Sequence, residues 1–135
     1  MKSIAKTIPQ YNKQHTPAIK KICDFLASQI DASLKKSESK IWHGTPVWFL
    51  EGNPIVSYSV RKSGAVALMF FSGQGFDEAD LKKEGKFKAA EILYTDVGEI
   101  KVTNLKRWLK KSKDIQWDYK NIVKRKGVLK KIVKE

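Results

Sequence analysis

The sequence predicts an α+β domain with a long N-terminal helix, an antiparallel meander of about four to five strands, and C-terminal helices packed on one face of the sheet. Three observations predict this class. Apolar residues recur at helical spacing over residues 19–34, strand-forming runs separated by turn residues follow over residues 47–71, and helical spacing returns after Leu105. A chain of 135 residues fits one domain with one core.

The first long helix is predicted to begin at Thr16 and Pro17. A threonine can cap free backbone amides, and a proline at the first helical position has no N–H to leave unpaired. Three- and four-residue spacing predicts one buried face, made of Ile19, Ile22, Leu26, Ile30 and Leu34. Residues 1–15 are predicted to be a loose lead-in with at most one short helix, residues 16–127 the domain, and residues 128–135 a basic tail.

The predicted meander starts with a short strand at residues 47–50, reverses at residues 51–54 and continues through residues 55–60. A second reversal is predicted at residues 61–64, where the sequence is Arg-Lys-Ser-Gly. Residues 65–71 are apolar at every position, which is typical of a central strand that is covered on both faces.

The remainder is predicted to contain a short helix or turn around residues 77–83, a fourth strand near residues 90–94, and two C-terminal helices. The apolar face of the first of these helices consists of Leu105, Trp108 and Leu109. The second is predicted to be capped by Asp114, to end at Gly127, and to bury Ile115, Tyr119, Ile122 and Val123.

The formal net charge of +13 is concentrated in the last third of the chain, where residues 101–135 hold 13 Lys and Arg against 3 Asp and Glu. The apolar runs are far shorter than the roughly 20 residues that span a bilayer, and no apolar signal region opens the sequence. A single cysteine, Cys23, excludes an internal disulfide and fits a reducing compartment. We therefore expect a cytosolic protein that does not enter membranes.

Four short motifs give the chain a resemblance to a known family. They are Gly44-Thr45-Pro46 with its aromatic neighbours, Gly52-Asn53-Pro54, the Leu68-Met69-Phe70-Phe71-Ser72-Gly73 strand end, and the Gly85-Lys86 turn. With the order of elements over residues 16–127, they make the chain similar to the YdhG-like family, a bacterial family of unknown function. One branch of that family is likened to frataxin, which implies an iron or small-ligand carrier with an acidic metal-binding ridge.

The acidic residues that such a ridge would use here are Asp77, Glu78 and Asp80. Iron favours clustered carboxylates or imidazoles, but the lysines interleaved with this cluster would repel a cation. The alternative is that these residues occupy the first turn of a short helix, where the helix dipole favours negative charge. The helix interpretation is preferred.

An aromatic ligand cleft is a second candidate, made of Trp42, His43, Trp48 and Tyr58. Aromatic-walled clefts bind planar molecules, and an imidazole can act as a base or a ligand. The alternative is that the aromatic rings fill the core and that His43 ties together the loop between helix and sheet.

A polyanion-binding surface is the third candidate. Its residues are Lys106, Arg107, Lys110, Lys111, Lys124, Arg125 and Lys126. Such a concentration of like charge is mildly unfavourable unless something anionic meets it or salt screens it. Trp117 and Tyr119 among these cations could stack on unpaired bases. The alternative is a lysine-rich face that is simply solvated.

The sequence contains none of the familiar catalytic, zinc-binding or phosphate-binding motifs. Cys23 lies on the first long helix and is predicted to be a small buried residue rather than a nucleophile. We therefore expect a non-catalytic cytosolic binding or accessory protein without a cofactor, as a monomer or homodimer. The alternatives are a weak, sequence-tolerant nucleic-acid or polyanion binder and a frataxin-like carrier.

Overall fold

The computed structural model describes residues 5–85 and 87–132. The predictions for residues 1–4, for Lys86 and for residues 133–135 lie outside the described residues. The helices are α1 (Ile8–Lys13), α2 (Pro17–Ser33) and α3 (Val102–Asp114). The strands are β1 (Glu38–Trp42), β2 (Thr45–Leu50), β3 (Asn53–Val60), β4 (Val66–Phe70), β5 (Lys82–Lys83), β6 (Ala90–Tyr94), β7 (Gln116–Trp117) and β8 (Lys131–Ile132).

A six-stranded antiparallel sheet forms the centre of the fold, in the order β1-β2-β3-β4-β6-β5. The predicted α+β class is confirmed, with more strands in the sheet than the four to five predicted. Helices α2 and α3 share one face of this sheet, because Leu26 and Leu109 belong to the same buried cluster as Trp48, Tyr58 and Phe70. Strands β7 and β8 pair separately, beside the main sheet.

Helix α2 confirms the predicted apolar face, since Ile22, Leu26 and Ile30 are fully buried. Pro17 is its first residue, as predicted, but the Thr16 side chain makes no capping hydrogen bond. The helix ends at Ser33, and Leu34 is buried just beyond it. Among the described helices, none has the length and apolar character that crossing a membrane requires.

The lead-in contains the short helix α1, which docks on the domain. Thr7 Oγ1 accepts a hydrogen bond from Gln10 N at 3.2 Å and caps the helix. The Tyr11 hydroxyl accepts one from Val60 N at 2.9 Å. Asn12 accepts a bond from the Tyr58 hydroxyl at 2.7 Å and donates one to Asp24 at 2.9 Å, so residues 8–13 are tied to both α2 and the sheet.

Two tight hairpin turns join β1, β2 and β3. His43 and Gly44 have φ of 51° and 82°, and Glu51 and Gly52 have φ of 50° and 81°. Two-residue turns with positive φ at both positions match the twist of antiparallel strands. The sequence did not predict β1, so His43 lies in a hairpin turn rather than in the predicted loop between helix and sheet.

The segment after β4 forms a turn rather than a short helix, which is the second of the two alternatives predicted for residues 77–83. A single 3₁₀ turn at Gly73–Gly75 is followed by bends and the two-residue strand β5. Asp77 has a φ of 57°, outside the helical region. The helix-dipole explanation for the acidic residues therefore does not apply.

The prediction of a second C-terminal helix is wrong. Asp114 is the last residue of α3 and not a cap, and the chain then forms β7, a series of turns and β8. Contacts from outside the segment hold it in this form. Trp117 N donates to Ser72 Oγ at 2.8 Å, and the Trp117 ring lies so close to Gly75 that a Cβ there would be 2.5 Å from it.

Candidate functional site

One concave surface of the described residues is an open groove of about 1000 Å³, which we call the lysine groove. It lies between the C-terminal end of α2, one side of α3, the turn between β2 and β3, and the chain after α3. Among the residues that the structure describes, six lysines line it, together with two acidic residues, Glu51 and Asp118. The lysines are Lys35, Lys36, Lys106, Lys110, Lys113 and Lys120.

Two helices position most of these lysines. Lys106, Lys110 and Lys113 recur at four- and three-residue steps and so share one side of α3, away from its buried residues Leu105 and Leu109. Lys35 and Lys36 follow the end of α2, where Ser37 closes a turn by donating from its backbone N–H to Leu34 O at 3.0 Å.

The far wall of the groove is fixed by the buried side chain of Asn53, which is 4% exposed. Its Nδ2 donates to Gln116 Oε1 at 3.1 Å and to Trp117 O at 3.0 Å, and its Oδ1 accepts from Lys120 N at 3.0 Å. These bonds attach the chain after α3 to the β2–β3 hairpin. Lys120 Nζ also donates to Glu51 O at 3.1 Å, which brings this lysine to the hairpin turn.

The described lining of the groove is net positive because its six lysines outnumber its two carboxylates, and one of these carboxylates is already paired. Asp118 accepts hydrogen bonds from Asn121 and forms an ion pair of 2.6 Å with Arg125, and these contacts hold the pKa of Asp118 below its ordinary value. By contrast, four groove lysines have side chains with no hydrogen bond or ion pair among the described residues. They are Lys35, Lys36, Lys106 and Lys110.

The seven residues predicted to bind a polyanion separate into three groups. Lys106 and Lys110 line the lysine groove. Arg107, Lys111 and Arg125 form ion pairs inside the molecule. Lys124 and Lys126 are exposed in the turns after β7 and are not among the groove-lining residues.

The partner of Arg107 and Lys111 is Glu78, one of the three residues proposed for a metal. Its carboxylate accepts hydrogen bonds from both cations, and they hold the pKa of Glu78 well below its usual range. Asp77 and Asp80 are exposed. Within residues 5–85 and 87–132, no group of three or more His, Cys, Asp or Glu side chains is placed to hold a metal ion.

The four residues of the predicted aromatic cleft are not brought together. Trp48 and Tyr58 are fully buried in the core, with ring centroids 5.7 Å apart, and Trp48 Nε1 donates to Asp31 Oδ1 at 2.8 Å. Trp42 and His43 lie at the exposed end of the β1–β2 hairpin, 4.2 Å apart. Trp42 instead contacts Phe49, at 5.5 Å between ring centroids.

The aromatic side chains predicted to stack on bases have structural contacts. Trp117 packs on Gly75, with the ammonium groups of Lys88 and Lys131 at 5.3 and 5.4 Å from its ring. The Tyr119 hydroxyl donates to Phe71 O at 2.5 Å and accepts from Lys88 N at 3.1 Å. Neither residue is among those that line the lysine groove.

Sequence reasoning missed Lys35, Lys36, Lys120 and Asn53 as parts of the site. The pair Lys35-Lys36 directly after a helix was a visible signal, but it becomes meaningful only when α2 and α3 are known to be neighbours. Asn53 gave no signal beyond its place in a turn-forming run.

The chain is thus an α+β protein with a lysine-lined groove at one end of its two long helices. Comparison with protein-family models, with curated proteins and with solved structures found no match. A functional proposal therefore depends on the groove itself, on its charges and on the residues that line it.

Proposed function

We propose that the protein is a non-catalytic binding protein that holds a polyanion in the lysine groove. The observation that supports this most directly is the convergence of six lysines, from segments far apart in sequence, on one concave surface. A concave surface lined by charges of one sign concentrates its electrostatic potential and attracts ligands of the opposite sign.

The arrangement of charge in this molecule supports binding rather than simple solvation. Arg107, Lys111 and Arg125 are paired with carboxylates, whereas the four groove lysines named above have no such partner among the described residues. Lys106 and Lys110, four residues apart on one helix, repel each other by a few tenths of a kcal/mol. A bound polyanion would relieve this repulsion by neutralising several lysines at once.

The proposal includes a cytosolic location, where nucleic acids and other polyphosphates are abundant and a lone thiol such as Cys23 stays reduced. Membership of the YdhG-like family is compatible with this function but specifies no ligand. Membership of this family therefore remains a separate proposal from polyanion binding in the groove.

The test compares two double charge reversals that each lower the formal net charge of +13 by four. Lys106→Glu with Lys110→Glu alters the groove. Lys21→Glu with Lys62→Glu is the matched control, because both residues are exposed and lie outside the groove. Binding of a labelled single-stranded oligonucleotide is measured at about 50 and 200 mM salt.

We expect the wild type to bind at the lower salt concentration and to lose affinity steeply at the higher one. The groove variant should bind at least tenfold more weakly, with the slope of log affinity against log salt smaller by about 1.4, since each phosphate contact contributes about 0.7. The control should stay within threefold of the wild type. Equal losses in both variants would refute the proposal, and so would a wild type that binds neither the oligonucleotide nor inorganic polyphosphate.

A further inference from the structure

We infer that the lysine groove recognises a chain of closely spaced phosphates by charge alone, without contact to bases. This inference rests on the proposed function and specifies its ligand. The chemistry recognised is the phosphate chain, as found in inorganic polyphosphate and in the backbone of a nucleic-acid strand. Of these two, inorganic polyphosphate fits the groove better, for three reasons that concern the lining residues.

The first reason is that the described residues lining the groove include no aromatic side chain. Proteins that hold single-stranded nucleic acid combine a basic groove with aromatic rings on which bases stack. The nearest aromatic residues in the chain after α3 are Trp117 and Tyr119, and both are held by the contacts described above. The groove therefore has cations without a stacking surface.

The second reason is that the amide groups of the groove are already used. Asparagine and glutamine read bases through paired hydrogen bonds from the side-chain amide. Here both protons of Asn53 Nδ2 go to Gln116 Oε1 and Trp117 O, and Gln116 Nε2 donates to Lys113 O at 3.0 Å. Asn121 Nδ2 donates to the Asp118 carboxylate at 3.0 Å. These amides build the groove wall and leave little capacity for reading a base.

The third reason is that the cations lining the described part of the groove are all lysines. An arginine presents a planar fork that suits paired contacts with a base or with one phosphate, whereas a lysine is a compact charge on a flexible stem. Flexible point charges can follow a chain of phosphates without fixing its register. Arg125, which lies near the groove wall, is paired with Asp118 and does not supply such a fork.

Inorganic polyphosphate matches these properties because it consists of phosphate units alone. It places a negative charge on each unit with no sugar or base between neighbours, so that more charge fits along the groove than a nucleic-acid strand of equal length can supply. Counterion release, which drives such binding, increases with the number of phosphates neutralised.

The test uses three ligands with the same number of phosphates: inorganic polyphosphate, an ordinary single-stranded DNA, and a DNA of the same length that lacks bases. Dissociation constants are measured by competition against one labelled strand at about 50 mM salt. We expect the abasic strand to bind within threefold of the ordinary strand. Polyphosphate should bind at least as tightly as either.

A loss of more than threefold on removing the bases would overturn the inference, because stacking of even one base changes affinity by about fivefold or more. Weaker binding of polyphosphate than of DNA would overturn it as well. In both cases binding itself would persist, so the proposed function would stand. If none of the three ligands binds, the proposed function fails instead.

The same variants locate the binding. Lys106→Glu with Lys110→Glu should lower the affinity for all three ligands by a similar factor of at least ten. Lys21→Glu with Lys62→Glu should leave the three affinities within threefold of the wild-type values. Circular dichroism and thermal unfolding establish that each variant is folded. A groove variant that is folded and keeps its affinity for polyphosphate would place the ligand elsewhere and overturn the inference.

Discussion

The Glu78 carboxylate and the Arg107 guanidinium form a two-point ion pair, with Nε and Nη2 at 2.8 and 2.7 Å from the two carboxylate oxygens. The Glu78 side chain is 9% exposed, and Lys111 approaches the same carboxylate at 2.6 Å. This contact joins the segment between β4 and β5 to α3. Glu78, a candidate metal ligand, is therefore paired with Arg107 and Lys111, which were two candidate polyanion-binding residues.

Replacing Glu78 by glutamine should lower the free energy of unfolding by about 1–2 kcal/mol, because hydrogen bonds between charged partners are lost. Asp77→Asn is the matched control, since Asp77 is exposed and asparagine tolerates its positive φ. The control should change the free energy of unfolding by less than about 0.5 kcal/mol. Urea denaturation at pH 7 measures both, and equal effects would contradict a structural role for Glu78.

The contribution of Glu78 should depend on pH. Its pKa in the folded protein lies well below the ordinary value of 4.5 because Arg107 and Lys111 donate to the carboxylate. The stabilisation is therefore complete above about pH 5 and is lost progressively at lower pH, where the unfolded state takes up a proton and the folded state does not. The stability difference between the wild type and Glu78→Gln should shrink as pH falls toward about 2. A difference that stays constant over this range would contradict the assignment.

His43 should prove to be a turn residue without chemistry of its own. Its φ of 51° is costly for most side chains, and asparagine is favoured before glycine in such a turn. His43→Asn should leave stability unchanged or raise it by about 0.5 kcal/mol, whereas His43→Val should lower it by about 1–2 kcal/mol. Thermal unfolding tests both changes. A His43→Asn variant that loses polyanion binding would show that the imidazole itself contacts the ligand.

Asn53 should control the shape of the lysine groove without adding charge to it. Asn53→Ala removes three hydrogen bonds from a buried position and should lower the free energy of unfolding by about 2–3 kcal/mol. Polyanion affinity should fall at least threefold, measured at a temperature where the variant is folded. Gln116→Ala, which removes the partner of one of these bonds, should show a smaller loss of the same kind. If a destabilised Asn53→Ala variant kept its affinity for the polyanion, binding would not depend on the shape of the groove.

Cys23 should be unreactive in the folded protein. It is fully buried, and burial raises the pKa of its thiol to about 12 from an ordinary value of 9.0. Only the thiolate reacts rapidly with a disulfide reagent, so labelling at pH 8 should proceed only as fast as the protein opens. One thiol should react at once in denaturant. Rapid labelling of the native protein would instead indicate an accessible thiol.

The elements that were predicted correctly have patterns that are visible locally. Helix α2 has a regular apolar face, and the all-apolar run that contains β4 indicates a central strand. Strand β1 was missed because it lies at the sheet edge, and residues Glu38, Ser39 and Lys40 are exposed and polar. The false second C-terminal helix had helical spacing, but contacts of Trp117 with Ser72 and Gly75 override that local preference.

The candidate site was only partly predictable, because charge in a sequence does not show which cations are paired. Lys106 and Arg107 are adjacent in sequence and both exposed, yet one lines the groove and the other binds Glu78. Which of these two roles a cation takes depends on the direction in which its side chain leaves α3 and on the segment that lies opposite. The pairing of α3 with the end of α2 comes from the packing of the core and has no counterpart in the local sequence.

The hydrogen bond between Asn53 and Trp117 joins residues that are 64 positions apart. The sheet and α3 can be complete before this bond forms, but the groove cannot, because its wall includes Lys120, Asn121 and Ile132. The lysine groove is therefore completed by a contact between segments that are distant in sequence. A chain that ended soon after α3 would keep the lysines of that helix but would lack the opposite wall of the groove, which Asp118, Lys120 and Asn121 help to form.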